Sequence, residues 1–153
     1  GIPASALTLG AVSTYGNEEY QNGNNTGRII SYRASRDITV RTTDVQLVYT
    51  LSQGIGSLLQ SGVNVNNYGP QYYISTLPDL RPQLLEEAMK DAKVRAEALT
   101  KAVGGNIGSL VNVKAGPIQI TTPDSTMTAD YGAYDTSTIE KTVTATVSVT
   151  FKS

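Results

Sequence analysis

The last ten strand-forming residues restrict the fold more than any other stretch. In "TVTATVSVTF", Val143, Ala145, Val147, Val149 and Phe151 alternate with Thr142, Thr144, Thr146, Ser148 and Thr150. A period of two puts all the apolar side chains on one face and all the hydroxyls on the other, so the segment is a half-buried strand. A strand of this kind needs a partner to pair with and something apolar to lie on. A second alternating run, "RIISYRASRDITVRT" from Arg28 to Thr42, has the same character. Ile30, Tyr32, Ala34, Ile38 and Val40 share one face, interrupted by Arg36, and the spacing predicts a long half-buried strand.

Two stretches change period from two to 3.6. In residues 43–61, Val45, Val48, Leu51, Ile55, Leu58 and Leu59 recur at helical spacing. Thr43 and Gln46 fit a capping box at its start, Gly62 fits its stop, and Gly54 and Gly56 weaken its interior. In residues 79–103, Leu85, Ala88, Ala92, Ala96, Leu99 and Val103 form one stripe. Asp79 and Pro82 read as start signals. Glu86 and Lys90, Lys93 and Glu97, and Glu97 and Lys101 stand as opposite charges four apart. Between the helices, residues 63–76 read as a strand broken at Gly69-Pro70. After the second helix, residues 107–120 read as a strand bent at Gly116-Pro117. "TTPDSTMTADYGAYDTST" is a long polar connection, expected to be mobile at its tip.

These elements predict an α+β fold: a largely antiparallel sheet with two helices packed on one face. A short echo suggests two related halves. "GIPASALTLGAVST" (Gly1 to Thr14) resembles "GVNVNNYGPQYYIST" (Gly62 to Thr76), and the second copy follows a helix. By that analogy the first copy also follows one, so the expectation is a single domain over 1–153 lacking the front of its first half. No stretch is apolar enough to span a bilayer, and no signal peptide is present in the sequence.

Composition narrows the chemistry. There is no Cys and no His among 153 residues. Disulfides, thiolate metal sites and cysteine nucleophiles are therefore excluded, and the commonest general base is missing. Net charge is −1 with scattered Lys and Arg, so nucleic acid is not an expected partner. Charged residues are 16% of the chain, and Thr, Ser, Asn, Gln and Gly fill the difference. That balance leans toward an extracytoplasmic β-rich protein.

Candidate sites are few. "KAVGGNIG" has the look of a phosphate loop, but Gly104, Gly105 and Gly108 follow a helix instead of opening one. They lie at its negative end, where carbonyls point outward. The residues read as a helix cap leading into a strand at Ile107. Glu86, Glu87 and Asp91 read as a solvated helix face rather than a metal site, and Asp124 and Asp130 have no recognised ligand spacing. The triplet "NNT" at Asn24 to Thr26 fits a glycosylation acceptor, a pattern too common to carry weight. Tyrosine is enriched: nine Tyr, against one Phe and no Trp. Tyr68, Tyr72 and Tyr73 cluster in one segment, and Tyr131 and Tyr134 in another. Two readings stand for them, sheet packing and partner contact. The "YGAYDTS" loop is the better placed for contact.

The succession "ISYRASRDITVRTTD", "GV" opening a strand, "DLRPQLLEEAMKDAKVRAEALTKAVGGNIGSLVNV" and "TVTATVSVTF" resembles the SIMPL-domain family. The most distinctive part is "AMKDAKVRAEALTKAVGGNIG", a helix with repeated Ala and Lys/Arg running into a strand. Family members normally carry a strand pair and a helix before the "GIPASAL" position, so the resemblance implies, as the echo does, a domain without that front part. The resemblance implies periplasmic or secreted bacterial proteins that are often envelope-associated and immunogenic. It also implies large oligomers in some members and links to oxidative stress. It supplies no shared catalytic, cofactor or metal residues. The expected function is therefore a non-enzymatic domain acting by self-association or by binding a protein partner. A small-ligand module with a pocket between sheet and helix is the alternative, and a carboxylate-based hydrolase is the third possibility.

Overall fold

The computed structural model describes residues 2–152. They fall into two compact units, Gly1–Asn67 and Tyr68–Ser153.

The first unit is dominated by a hairpin. Strand β1 (Leu7–Gln21) pairs antiparallel with β2 (Asn24–Val40), from Leu7 opposite Val40 to Gln21 opposite Asn24. A 3-10 turn over Ala4–Ala6 precedes it, and the Arg41 N–H extends the ladder to the Ala6 carbonyl at 2.8 Å. The turn is Asn22-Gly23, with φ of 52° and 82°. Positive φ at both central residues is what a two-residue turn needs to match the twist of its strands, and Asn-Gly meets that need with least strain. The ladder shifts register between Leu9 and Val12 and on either side of Glu18. These shifts bend a strand and sharpen its twist. The expected half-burial of residues 28–42 is not found. Ile30, Tyr32 and Ile38 are exposed, as are the residues between them, because among the described residues of its own unit the two-stranded ribbon has no packed layer against it. The strand also begins earlier than expected, at Asn24.

Residues 43–61 form two helices, α1 (Val45–Gly54) and α2 (Gly56–Gln60), meeting at Ile55 between the two glycines. The Thr43 and Gln46 capping box does not form. Asp44 is the N-cap, its carboxylate accepting from the Leu47 N–H at 2.9 Å. The predicted stop holds: Gly62 has φ 82°, its N–H bonds the Leu59 carbonyl and the Val63 N–H bonds that of Leu58. This pair of bonds is a Schellman cap.

In the second unit, α3 (Leu77–Ala102) starts two residues before Asp79, with Pro78 in its first turn and Pro82 inside it. Proline is tolerated at Pro78 because the N–H groups of the first turn have no helical partners, whereas Pro82 leaves the Pro78 carbonyl without its helical donor. The Gly-Gly pair ends it. Gly104, at φ 80°, donates to Lys101 at 3.1 Å, and Gly105 donates to Thr100 at 2.9 Å, which is again a Schellman cap. Lys93 pairs with Glu97 and Glu86 with Lys90 as expected. Among the described residues the third pair is Asp91–Arg95 instead of Glu97–Lys101.

Beyond α3 the chain forms β3 (Leu110–Ala115), β4 (Gln119–Thr121), β5 (Thr142–Thr144) and β6 (Val147–Phe151). β3 pairs with β6 and β4 with β5, both antiparallel. The Gly116-Pro117 bend separates the two ladders, and a bond from the Gly116 N–H to the Thr146 carbonyl at 2.9 Å bridges them. α3 lies on β6. The alternation of residues 142–151 appears as predicted, with Val143, Val147, Val149 and Phe151 half-buried and the hydroxyl residues between them exposed. The tightest packing is at β4, where Gln119, Ile120 and Thr121 are all buried and Ile120 is 2% exposed.

The fold is α+β, but the expected sheet is divided into three two-stranded ladders. Residues 63–74 form no ladder: Gly69 has φ 77° and Pro70 has no N–H to contribute. The echoed segments differ accordingly, the first being largely strand and the second forming no strand.

Candidate interaction surfaces

The hairpin presents two faces and two edges. Residues directly opposite in a ladder share a face, and the run from Val12 to Asn17 is regular against Ser31 to Arg36. Val12, Thr14, Gly16, Tyr32, Ala34 and Arg36 lie on one side, with the Ile29 side chain covering Gly16. Ser13, Tyr15, Asn17, Ser31, Arg33 and Ser35 lie on the other, where Asn17 donates to the Ser31 hydroxyl at 2.9 Å. Among the described residues, no backbone hydrogen bond from outside the hairpin reaches the outer edge of either strand. Charge is segregated. β1 carries Glu18 and Glu19 and no Lys or Arg, whereas β2 carries Arg28, Arg33 and Arg36 against a single Asp37. Glu18 accepts from the Asn25 amide and Glu19 from the Thr26 hydroxyl. Among the described residues, neither glutamate meets a cation and none of the three arginines meets a carboxylate.

The tyrosines singled out in the sequence separate into three environments. Tyr73 and Tyr134 meet, with ring centroids 5.9 Å apart and planes tilted by 46°. The Tyr134 hydroxyl accepts from the Ile74 N–H at 3.0 Å, and the Tyr73 hydroxyl donates to Gln71 at 2.7 Å. Tyr68 and Tyr131 project into solvent, Tyr131 being 99% exposed. Tyr72 is withdrawn from the surface, at 7% exposed, which removes it from the contact candidates. Its phenol oxygen has no hydrogen-bond partner among the described residues.

The loop expected to be mobile is anchored on its return side. The Ile120 N–H donates to the Ala133 carbonyl at 2.7 Å and the Asp135 N–H to that of Ile120 at 2.8 Å, so Tyr134 lies beside β4. The Tyr72 N–H reaches the Thr136 carbonyl at 2.8 Å. Asp135 ties the turn together. One carboxylate oxygen accepts from the Ser137 hydroxyl at 2.7 Å and its N–H at 3.1 Å. The other accepts from the Thr138 hydroxyl at 2.5 Å, the Thr138 N–H at 3.2 Å and Lys141 at 3.0 Å. The Lys141 side chain is 3% exposed and also donates to the Asp135 carbonyl. The Ser137 and Thr138 hydroxyls, with smaller help from the Ser137 N–H and the Lys141 ammonium, hold this carboxyl well below the usual carboxylate range, against the opposing effect of desolvation. Sequence reasoning missed this knot. Its signal was Asp-Thr-Ser-Thr, an Asx-turn composition.

A groove of about 560 Å³ runs where α3 faces the β3–β6 ladder. Met89, Ile107, Leu110 and Phe151 give it apolar walls, and Glu86, Lys90, Lys93 and Glu97 give it a charged rim. Glu86 and Lys90 are 2.6 Å apart and Asp91 and Arg95 2.8 Å. Of the candidate acids Glu86, Glu87 and Asp91, the first and the last thus serve ion pairs on a solvated face. Gly104 and Gly105 form a cap at the carbonyl end of α3, as their order in the sequence predicts, and build no anion cradle.

An α+β chain with a long helix capped by Gly-Gly and followed, after a short connection, by a strand is the class of protein seen here. The SIMPL family model, described as a protein of unknown function (DUF541), matches residues 1–151, and the chain belongs to that family. Neither a curated protein nor a solved structure matches it. Among the described residues, no helix is long and apolar enough to cross a membrane.

Proposed function

We propose that this chain is an extracytoplasmic, non-enzymatic SIMPL domain that works by associating with copies of itself. The observation that carries the reading is the β1–β2 hairpin. Its strands are 15 and 17 residues long, and Leu9, Val12, Ile29, Ile30 and Ile38 are all exposed on it. A two-stranded ribbon is marginal by itself in water, and unpaired edges of this length are templates for another strand. Association supplies both the missing layer and the missing partners. The exposed tyrosines Tyr68, Tyr73, Tyr131 and Tyr134 offer a separate contact for a protein partner, being large, amphipathic and cheap to order.

The non-enzymatic part rests on chemistry. The chain has neither His nor Cys, and the donors around Asp135 commit its carboxylate to holding a turn. The extracytoplasmic part rests on the family and on the low charge content. The groove beside α3 favours the alternative, a small-ligand site, because its volume is in the range of such sites. It supports that reading less well, since its polar rim is solvated and its Leu110 wall is half-exposed.

Sedimentation velocity over a concentration series tests the proposal. The expected result is a population larger than the 16.2 kDa monomer that grows with concentration. A strict monomer up to the solubility limit overturns it.

A further inference from the structure

The hairpin's two edges are not equivalent, and the difference bears on how a second copy would dock. We infer that association is directional: the outer edge of β1 in one copy pairs with the outer edge of β2 in the next, antiparallel, with the Asn22-Gly23 turns at the same end. This rests on self-association through the hairpin and goes beyond it by assigning which edge meets which.

Charge decides between the three possible pairings. A β1–β1 contact has only Glu18 and Glu19 from each side and brings no cation to either. A β2–β2 contact has three arginines from each side and only Asp37 to oppose them. The mixed contact alone sets the unpaired acids of β1 against the unpaired cations of β2. Opposite charges on neighbouring strands stabilise a sheet, and like charges directly opposite destabilise it. If the hairpins lie side by side without offset, the register within one hairpin is repeated between copies. Glu18 is opposite Ile29 and Tyr20 opposite Asn25 within the hairpin, so Glu18 and Glu19 of one copy come level with the stretch of the next that holds Arg28.

The backbone agrees. Neither strand contains Pro or Lys, the residues that most often blunt an exposed edge. The register shifts lie toward the two ends and leave the run from Val12 to Asn17 regular. Arg33 and Arg36 lie opposite this run, which is uncharged in β1, so the β2 edge repels its own kind but meets no like charge in the β1 edge. A mixed contact is heterologous: of two paired copies one keeps a free β2 edge and the other a free β1 edge, so the assembly closes into a ring or extends as a filament.

The absence of cysteine allows a clean test. Ser13→Cys places one thiol on β1, and Ser35→Cys places one on β2, both at exposed positions. A chain with a single thiol can only be cross-linked to another chain. Ser13 and Ser35 are opposite within the hairpin, so without offset they face each other between copies as well. Under mild oxidation an equal mixture of the two variants is expected to give several-fold more disulfide-linked dimer than either variant alone. In parallel, the Glu18→Arg, Glu19→Arg double variant is expected to lose the large species. Mixing it with an Arg28→Glu, Arg33→Glu, Arg36→Glu chain is expected to restore that species. Cross-linking as strong in one variant alone as in the mixture overturns the directional pairing. So does a charge-reversed chain that still assembles fully by itself. Either of those outcomes, with large species retained, leaves self-association standing, whereas a strict monomer for the unmodified chain removes both.

Discussion

At the scale of single residues, Asp135 has the most complete environment in the chain. Both carboxylate oxygens are occupied by donors from Ser137, Thr138 and Lys141. Its folded pKa is depressed, so the stability it contributes is present above the unfolded carboxylate value of about 4 and is lost as pH falls below that toward the folded value. Thermal unfolding followed from neutral to acidic pH is expected to show the melting temperature falling below about pH 4. Asp135→Asn is expected to lower it at neutral pH, because the Lys141 ammonium then faces an amide, and to flatten the acid decline. An equally steep acid decline in the variant counts against this account. In the sequence this aspartate looked like part of a mobile contact loop. Its partners are two, three and six residues downstream, a local pattern that could have been read as an Asx turn. The buried state of Lys141 could not, since it depends on β4 lying beside the loop. Tyr72 and Tyr73 differ for the same reason. They are adjacent and identical in type, yet one is buried and the other stacks near Tyr134.

At the scale of elements, the caps were the most legible features. Gly62 and Gly104 both take positive φ and both close Schellman caps where the helical period stops. A Cβ at Gly104 would meet nothing within 4 Å, so Gly104→Ala is expected to cost only the left-handed backbone strain, about 1 kcal/mol. Gly132 is a more demanding position. It has φ 90°, and a Cβ there would lie 3.0 Å from the Ile118 carbonyl oxygen and 3.3 Å from the Pro117 side chain. Gly132→Ala is expected to cost roughly 2–3 kcal/mol, strain and overpacking together. Urea unfolding of the two variants checks the ranking; equal losses would contradict it. The sequence showed the strong caps because they depend on neighbours in the chain. It misplaced Thr43 as a cap because Asp44, one residue on, competes for the same role with a better acceptor. It read residues 63–74 as a strand because alternation reports a preference for extended backbone, and a ladder also needs a partner.

At the scale of the molecule, alternation in residues 28–42 correctly marked a strand but not what lies against it. A period of two shows that one face is more apolar than the other. Ile30, Tyr32 and Ile38 are exposed in the chain taken alone, and Tyr32 reaches 74%. The Asn22-Gly23 turn, a strong hairpin signal, would have located β1 from the sequence. Long exposed ribbons are costly to keep free, and the proposal that copies of the chain cover this one makes a local prediction. Hydrogen–deuterium exchange, read at residue level over a concentration series, tests it most directly. The amides pointing outward from β1 and β2 are expected to slow as concentration rises through the association range, while those already paired within the hairpin change less. Exchange in β1 and β2 that stays independent of concentration, or protection confined to the Tyr73–Tyr134 region, would contradict the central claim.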